Sequence, residues 1–235
     1  RKTAMISENY APYTQTNWYS SMANGNVIRA FESMGLSHFD NVEYLYEGTT
    51  PLTVLMYNVR YVLSQDSGMY SGYSVEDSND VCNVYRADEL TGMGFVLDDD
   101  IADWHAEDVA LANQNDFIRK GCGVEADAFT ELDMSDWTVS YFNQDVLAED
   151  VGYCRYRTTN AFVPMMKYEF DAESDMDLYA YSKDVRNHYI EVIVDGSGVV
   201  KNASYSTELV SHIGKVSKGQ HVKITVGSET SSKTG

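Results

Sequence analysis

From about residue 129 to residue 227 the chain reads as strand after strand, and this limits its fold more than any other feature. Eight segments carry the pattern: 137–143, 153–158, 163–171, 177–183, 188–194, 199–206, 209–216 and 221–227. Alternation is clearest in the last. Val222, Ile224 and Val226 fall on one face there, and His221, Lys223 and Thr225 on the other. Asp195-Gly196-Ser197-Gly198 and Lys218-Gly219 are turn signals between strands. Short strands with frequent turns predict an antiparallel, jelly-roll-like β-sandwich.

The earlier part has a different texture. Between Asn24 and Leu36, the residues Val27, Ile28, Phe31 and Met34 share a helical face, with Asn24 or Asn26 as cap and Gly35 at the end. A second helix is predicted to start at Thr50-Pro51, with Thr50 capping and Pro51 in the first turn. Strands are expected at 59–64, 81–86 and 93–97, a loop from Asp66 to Asp80, and a third helix from Asn113 to Lys120 ending at Gly121. The class that follows is α+β: a mixed α/β layer, residues 1–128, packed on an antiparallel β-sandwich, residues 129–235.

Charge narrows function. The formal net charge is −19, with 17 basic residues against 36 acidic ones. A nucleic-acid surface needs clustered Lys and Arg, and this chain has no such cluster. Docking onto anionic lipid is disfavoured for the same reason. No apolar run approaches the ~20 residues that span a bilayer. The start lacks an apolar leader, and the Ser/Thr-rich end from Ser228 to Gly235 reads as a linker, as in a trimmed piece of a longer chain.

Few residues suggest chemistry. Asp98-Asp99-Asp100 could offer oxygen ligands to a structural calcium, and Asp171, Glu173, Asp175 and Asp177 form a second acidic stretch. The commoner meaning of either run is a solvated strand end or turn. No other cofactor is expected. His38, His105, His188, His212 and His221 show no zinc spacing, and no nucleophile elbow, phosphate loop or dinucleotide fingerprint is present. Cys82, Cys122 and Cys154 allow one disulfide plus a free thiol, or three free thiols. Trp18, Tyr19 and Trp104 lie in segments read as loops and are the candidates for stacking on sugar rings; most of the other aromatic rings are expected in the core.

Five stretches occur in a telling order: NGNVIRAFESMGL, TTPLTVLMYNVRYVLS, VCNVYRADELTGMGFVLDDDI, NQNDFIRKGCGVE and IGKVSKGQHVKITVG. Together they resemble the large outer-face region of the YfhO family of bacterial polytopic membrane proteins, over roughly residues 10 to 230. Two departures stand out. The family's LP-L-G-F turn is here Leu90-Thr91-Gly92-Met93-Gly94-Phe95, and its usual Lys is Arg60. The resemblance implies kinship with C-type membrane glycosyltransferases, which draw sugar from a polyprenyl-phosphate carrier and modify envelope polymers such as lipoteichoic acid. Their catalytic carboxylates lie in an outer loop that no position here matches, so no catalytic residue is carried over.

The expectation is therefore a non-catalytic extracytoplasmic domain of a membrane glycosyltransferase. Its partners would be the membrane-embedded part of the same chain and an envelope glycan or acceptor polymer. Two other readings stand beside it: an envelope carbohydrate-binding protein, and a structural ectodomain that braces the membrane bundle.

Overall fold

The computed structural model describes residues 18–19, 23–39, 43–64, 70–92, 94–150, 153–158, 164–181, 188–195, 199–206 and 209–228. The chain forms an α+β fold with two compact units. The first comprises Arg1–Thr130 with Tyr179–Lys183 and Glu208–His212, and the second holds the remainder.

The first unit begins with β1 (Trp18–Tyr19), α1 (Gly25–Ser33), β2 (His38–Phe39) and β3 (Glu43–Tyr44). The three short strands form one antiparallel sheet in the order β1-β3-β2. Asn24 caps α1 by accepting the Asn26 amide on its side chain. α1 buries Ile28 and Phe31, the face expected from its spacing. Next come α2 (Pro51–Tyr57), β4 (Tyr61–Ser64), β5 (Tyr73–Ser78), β6 (Asn83–Ala87) and α3 (Ala110–Cys122). Thr50 and Thr53 close a reciprocal capping box on α2, with Pro51 in the first turn. β4 and β5 flank β6 antiparallel.

One core cluster is built on this frame: Phe31, Leu36, Tyr46, Val54, Tyr73, Tyr85 and Ala87, bordered by Val27, Tyr44, Tyr57, Val59, Val62, Tyr70 and Leu90. Its rings meet at tilted or edge-on angles, as between Phe31 and Tyr44 at 4.9 Å or Tyr46 and Tyr73 at 6.4 Å. A polar seam ties α3 to the other two helices. The Thr50 hydroxyl donates to Gln114 Oε1 at 2.7 Å, and Gln114 Nε2 donates to the Met34 carbonyl at 2.7 Å. Asn113 Nδ2 donates to the Ser33 carbonyl at 2.8 Å. Gln114 is fully buried, so these bonds satisfy groups that water cannot reach.

The second unit contains β7 (Thr138–Phe142), β8 (Gln144–Asp150), β9 (Tyr153–Thr158) and β10 (Met165–Asp171), with parts of β11 (Met176–Tyr181) and β14 (Val210–Val216), and also β12 (His188–Val194), β13 (Val199–Ser206) and β15 (His221–Ser228). A five-stranded antiparallel sheet runs β13-β12-β15-β10-β7. Its register aligns Val192, Ile224, Tyr168 and Val139 in one row, and Val194, Val222 and Phe170 in another. Val192 and Val222 are fully buried, and Trp137 stacks on Phe170 at 4.1 Å. Lys167 and Glu169, a period-2 pair on the opposite face, form a 2.8 Å ion pair. The β10–β11 turn and the β14–β15 turn are clipped together by Gly219 N–H to the Ala172 carbonyl and Ala172 N–H to the Gln220 carbonyl. β11 and β14 pair with each other, as do β8 and β9.

Three expectations need correction. The stretch read as a loop from 66 to 80 contains β5, whose only buried residue is Tyr73, so it has no apolar face for a periodicity to reveal. The strand expected at 93–97 is irregular chain over 94–98: Gly92 takes φ +95°, and Phe95 and Val96 are exposed. α3 starts earlier and ends later than expected. Gly123, in the left-handed region, terminates it, while Gly121 is there because Leu97 and Ile101 pack within 3.3 Å of where its Cβ would stand. The turn residues Gly196, Ser197 and Gly198 lie outside the described residues.

Candidate functional site

The aromatic residues were the first candidates. Trp18 and Tyr19 form β1 rather than a loop, opposite Tyr44 and Glu43 of β3; their side chains are outside the described part. Trp104 does follow the expected irregular path, at the end of a short 3-10 turn, Asp99–Asp103. Its indole N–H donates to the Asn113 carbonyl at 3.2 Å and its ring meets Phe117 edge-on at 6.0 Å. The ring is half-buried and braces the start of α3.

The acidic runs behave as local structure. Asp98 precedes the 3-10 turn, Asp99 and Asp100 occupy its first turn, and all three are exposed. In the second run, Asp171 Oδ1 lies 2.8 Å from His221 Nδ1, and Asp175 accepts the Lys218 amide at 2.8 Å. Among the described residues no group of three or more His, Cys, Asp or Glu side chains is placed to hold a metal. Cys82 and Cys122 are free thiols; the Cys154 side chain is outside the described part.

The tyrosines inside the first unit are kept neutral. Burial, reinforced by Tyr73, pushes the Tyr46 hydroxyl far above the ordinary phenol range. Burial also raises Tyr57 to about 12 and Tyr73 to about 12. The Tyr73 hydroxyl donates to the Val59 carbonyl at 2.7 Å and lies 3.1 Å from the Tyr46 hydroxyl. Tyr46 and Tyr73 are satisfied core groups rather than acids or bases facing a substrate.

A different surface was missed in the sequence. β4 alternates exposed and half-buried, with Tyr61 and Leu63 outward and Val62 inward against the core cluster. Tyr61 stands opposite Arg86 of β6, and Arg86 stands opposite Ser74 of β5. Arg86 Nη1 is 3.9 Å from Glu76 Oε1, and the Ser74 hydroxyl donates to Asp88 at 2.6 Å. The signal was present as a period-2 pattern in Tyr61-Val62-Leu63, but a four-residue strand does not say which face is wet.

The comparison with known families decides the wider setting. The model described as "Bacterial membrane protein YfhO" matches residues 9–234, nearly the whole chain. This chain belongs to the YfhO family of bacterial membrane proteins. No curated protein and no solved structure matches it. Among the described residues of this YfhO-family chain, no helix is long and apolar enough to cross a membrane.

Proposed function

We propose that this chain is an accessory, extracytoplasmic domain of a membrane glycosyltransferase that decorates envelope polymers such as lipoteichoic acid. Membership of a bacterial membrane-protein family over residues 9–234 is the observation that carries the reading. The resemblance of that family to C-type glycosyltransferases supplies the reaction. Sugar would come from a polyprenyl-phosphate donor, and transfer requires the donor phosphate, a base and the acceptor hydroxyl to be held within contact distance. The donor phosphate lies at the membrane surface, so the membrane-embedded part of the protein must form that half of the site. The role left to this domain is to hold or orient the acceptor glycan. Its strong negative charge repels a bare polyphosphate chain, so contact with the acceptor falls on a locally neutral patch.

The test compares the full-length protein in proteoliposomes with the 235-residue chain alone, each given a radiolabelled polyprenyl-phosphate sugar and an envelope acceptor. Transfer by the full-length protein and none by the isolated chain is expected. Turnover by the isolated chain would overturn the accessory role, and an inert full-length protein would overturn the glycosyltransferase assignment. Trp18→Ala with Trp104→Ala in the full-length protein addresses the original stacking candidates. Normal glycosylation by a well-folded double variant removes them from acceptor binding.

A further inference from the structure

We propose that the outer face of the β4–β6–β5 sheet is a binding surface for uncharged saccharide, with Tyr61 as its stacking ledge. This rests on the reading that the domain handles an acceptor glycan.

A pyranose ring has one apolar C–H face and a rim of hydroxyls. A surface that holds it needs an aromatic ledge with donors and acceptors beside it, in one plane. The sheet supplies these in a single row. Tyr61, Arg86 and Ser74 are direct cross-strand neighbours, one from each strand. Such neighbours lie about 5 Å apart, close to the width of a sugar ring. Tyr61 is 49% exposed and Leu63 is 54% exposed, so the ledge continues for a second residue along β4, about 7 Å away on the same face. The opposite face is closed: Val62 and Tyr85 pack into the core cluster, so the outward direction of Tyr61 and Leu63 is fixed by the pleat.

Polar groups stand beside the ledge. Arg86 carries five N–H donors in a planar fork, and its Nη1 lies 3.9 Å from Glu76 Oε1 on the exposed face. Asp88 is held by the Ser74 hydroxyl and retains lone pairs for a sugar hydroxyl. One cation set against two carboxylates leaves this face with one net negative charge. That balance favours a neutral sugar over a phosphate-bearing one. Scattered exposed apolar residues are ordinary on any protein. Here the ring, the aliphatic extension, the guanidinium and two carboxylates share one ordered face.

The test uses nuclear magnetic resonance of the isotope-labelled 235-residue chain, titrated to tens of millimolar with glucose, galactose and N-acetylglucosamine. At least one sugar is expected to shift the amide signals of β4, β5 and β6. Tyr61→Thr, which keeps strand propensity, should weaken binding at least about tenfold, the equivalent of losing about 1.4 kcal/mol. Tyr61→Phe should bind as the parent does, because stacking uses the ring and not the hydroxyl. An unchanged amide spectrum away from β4 certifies the fold of each variant. If none of the three sugars shifts these strands, or if Tyr61→Thr binds like the parent, the surface is not a saccharide site. The transfer assay separates this from the wider reading. Saccharide binding beside an inert full-length protein removes the glycosyltransferase assignment and leaves the surface standing. Transfer by a full-length protein whose domain binds no sugar removes the surface alone.

Discussion

Gly35 sits where a side chain has no room. Its φ is +84°, and a Cβ there would stand 2.5 Å from Val210 Cγ2 and 3.2 Å from the Ala110 Cβ. Gly35→Ala therefore combines left-handed strain with overpacking, and it should cost about 3 kcal/mol in urea unfolding. Gly92 isolates the first effect: φ is +95° with no atom within 4 Å of a new Cβ, so Gly92→Ala should cost about 1 kcal/mol. The buried Gln114 tests the polar seam. Gln114→Met keeps the length but leaves the Met34 carbonyl and the Thr50 hydroxyl without their partner, an expected loss of about 2–4 kcal/mol in the same measurement. Gly35 was legible as a helix end, but its packing against Val210 and the buried bonds of Gln114 were not, because both depend on neighbours far along the chain. The same limit applied to the candidate site. Trp104 was rightly expected on irregular chain, yet its indole is committed to Asn113 and Phe117, and sequence says nothing about which face of a ring is covered.

The helices were legible because their ends are written locally. Asn24 on α1 and Thr50-Pro51 on α2 are side chains whose oxygen or fixed φ satisfies the first turn whatever surrounds it. Asn24→Ala should cost about 1 kcal/mol of stability, measured by thermal unfolding, since its amide partner loses its acceptor. Strands with one buried face were legible too. β15 alternates Val222, Ile224 and Val226 against Lys223 and Thr225, and those pleats match its neighbours in register. Strands without a buried face were not. β5 shows one buried residue in six, and β8 (Gln144–Asp150) was not anticipated, because Gln, Asp and Glu dominate it and Val146 and Leu147 are exposed. Apolar sequence alone also misled: Phe95-Val96-Leu97 looks like a strand but sits beside two glycines and pairs with no strand among the described residues.

The buried tyrosines give the molecule a pH signature. Tyr57 and Tyr73 titrate near 12 in the fold against an ordinary value of 10.0, and Tyr46 is raised further. A raised folded value means the stabilisation is whole below pH 10. It is lost as pH climbs from 10 to about 12, where the unfolded chain releases protons that the fold retains. Each such phenol can steepen the loss by up to about 1.4 kcal/mol per pH unit. Denaturant midpoints should be level up to pH 9 and fall above pH 10, and Tyr46→Phe should make that fall shallower. The first unit has another property that belongs to the chain as a whole. It takes in residues 179–183 and 208–212, with Val210 against Gly35, Tyr179 Oη 2.6 Å from Ser71 Oγ, and Phe129 edge-on to Tyr179 at 5.3 Å. A chain ended at Thr130 lacks all of these, so it should show helical circular dichroism without the near-ultraviolet signal of fixed tyrosines. Synthesis runs from the amino end, and Val210, which covers Gly35, is added 175 residues later. At ~5–20 residues per second, the glycine corner waits on the order of ten seconds or more for its cover. The corner around Gly35 therefore leaves the ribosome well before the segment that closes it, and through that interval its apolar side is open to chaperones and to misfolded neighbours alike.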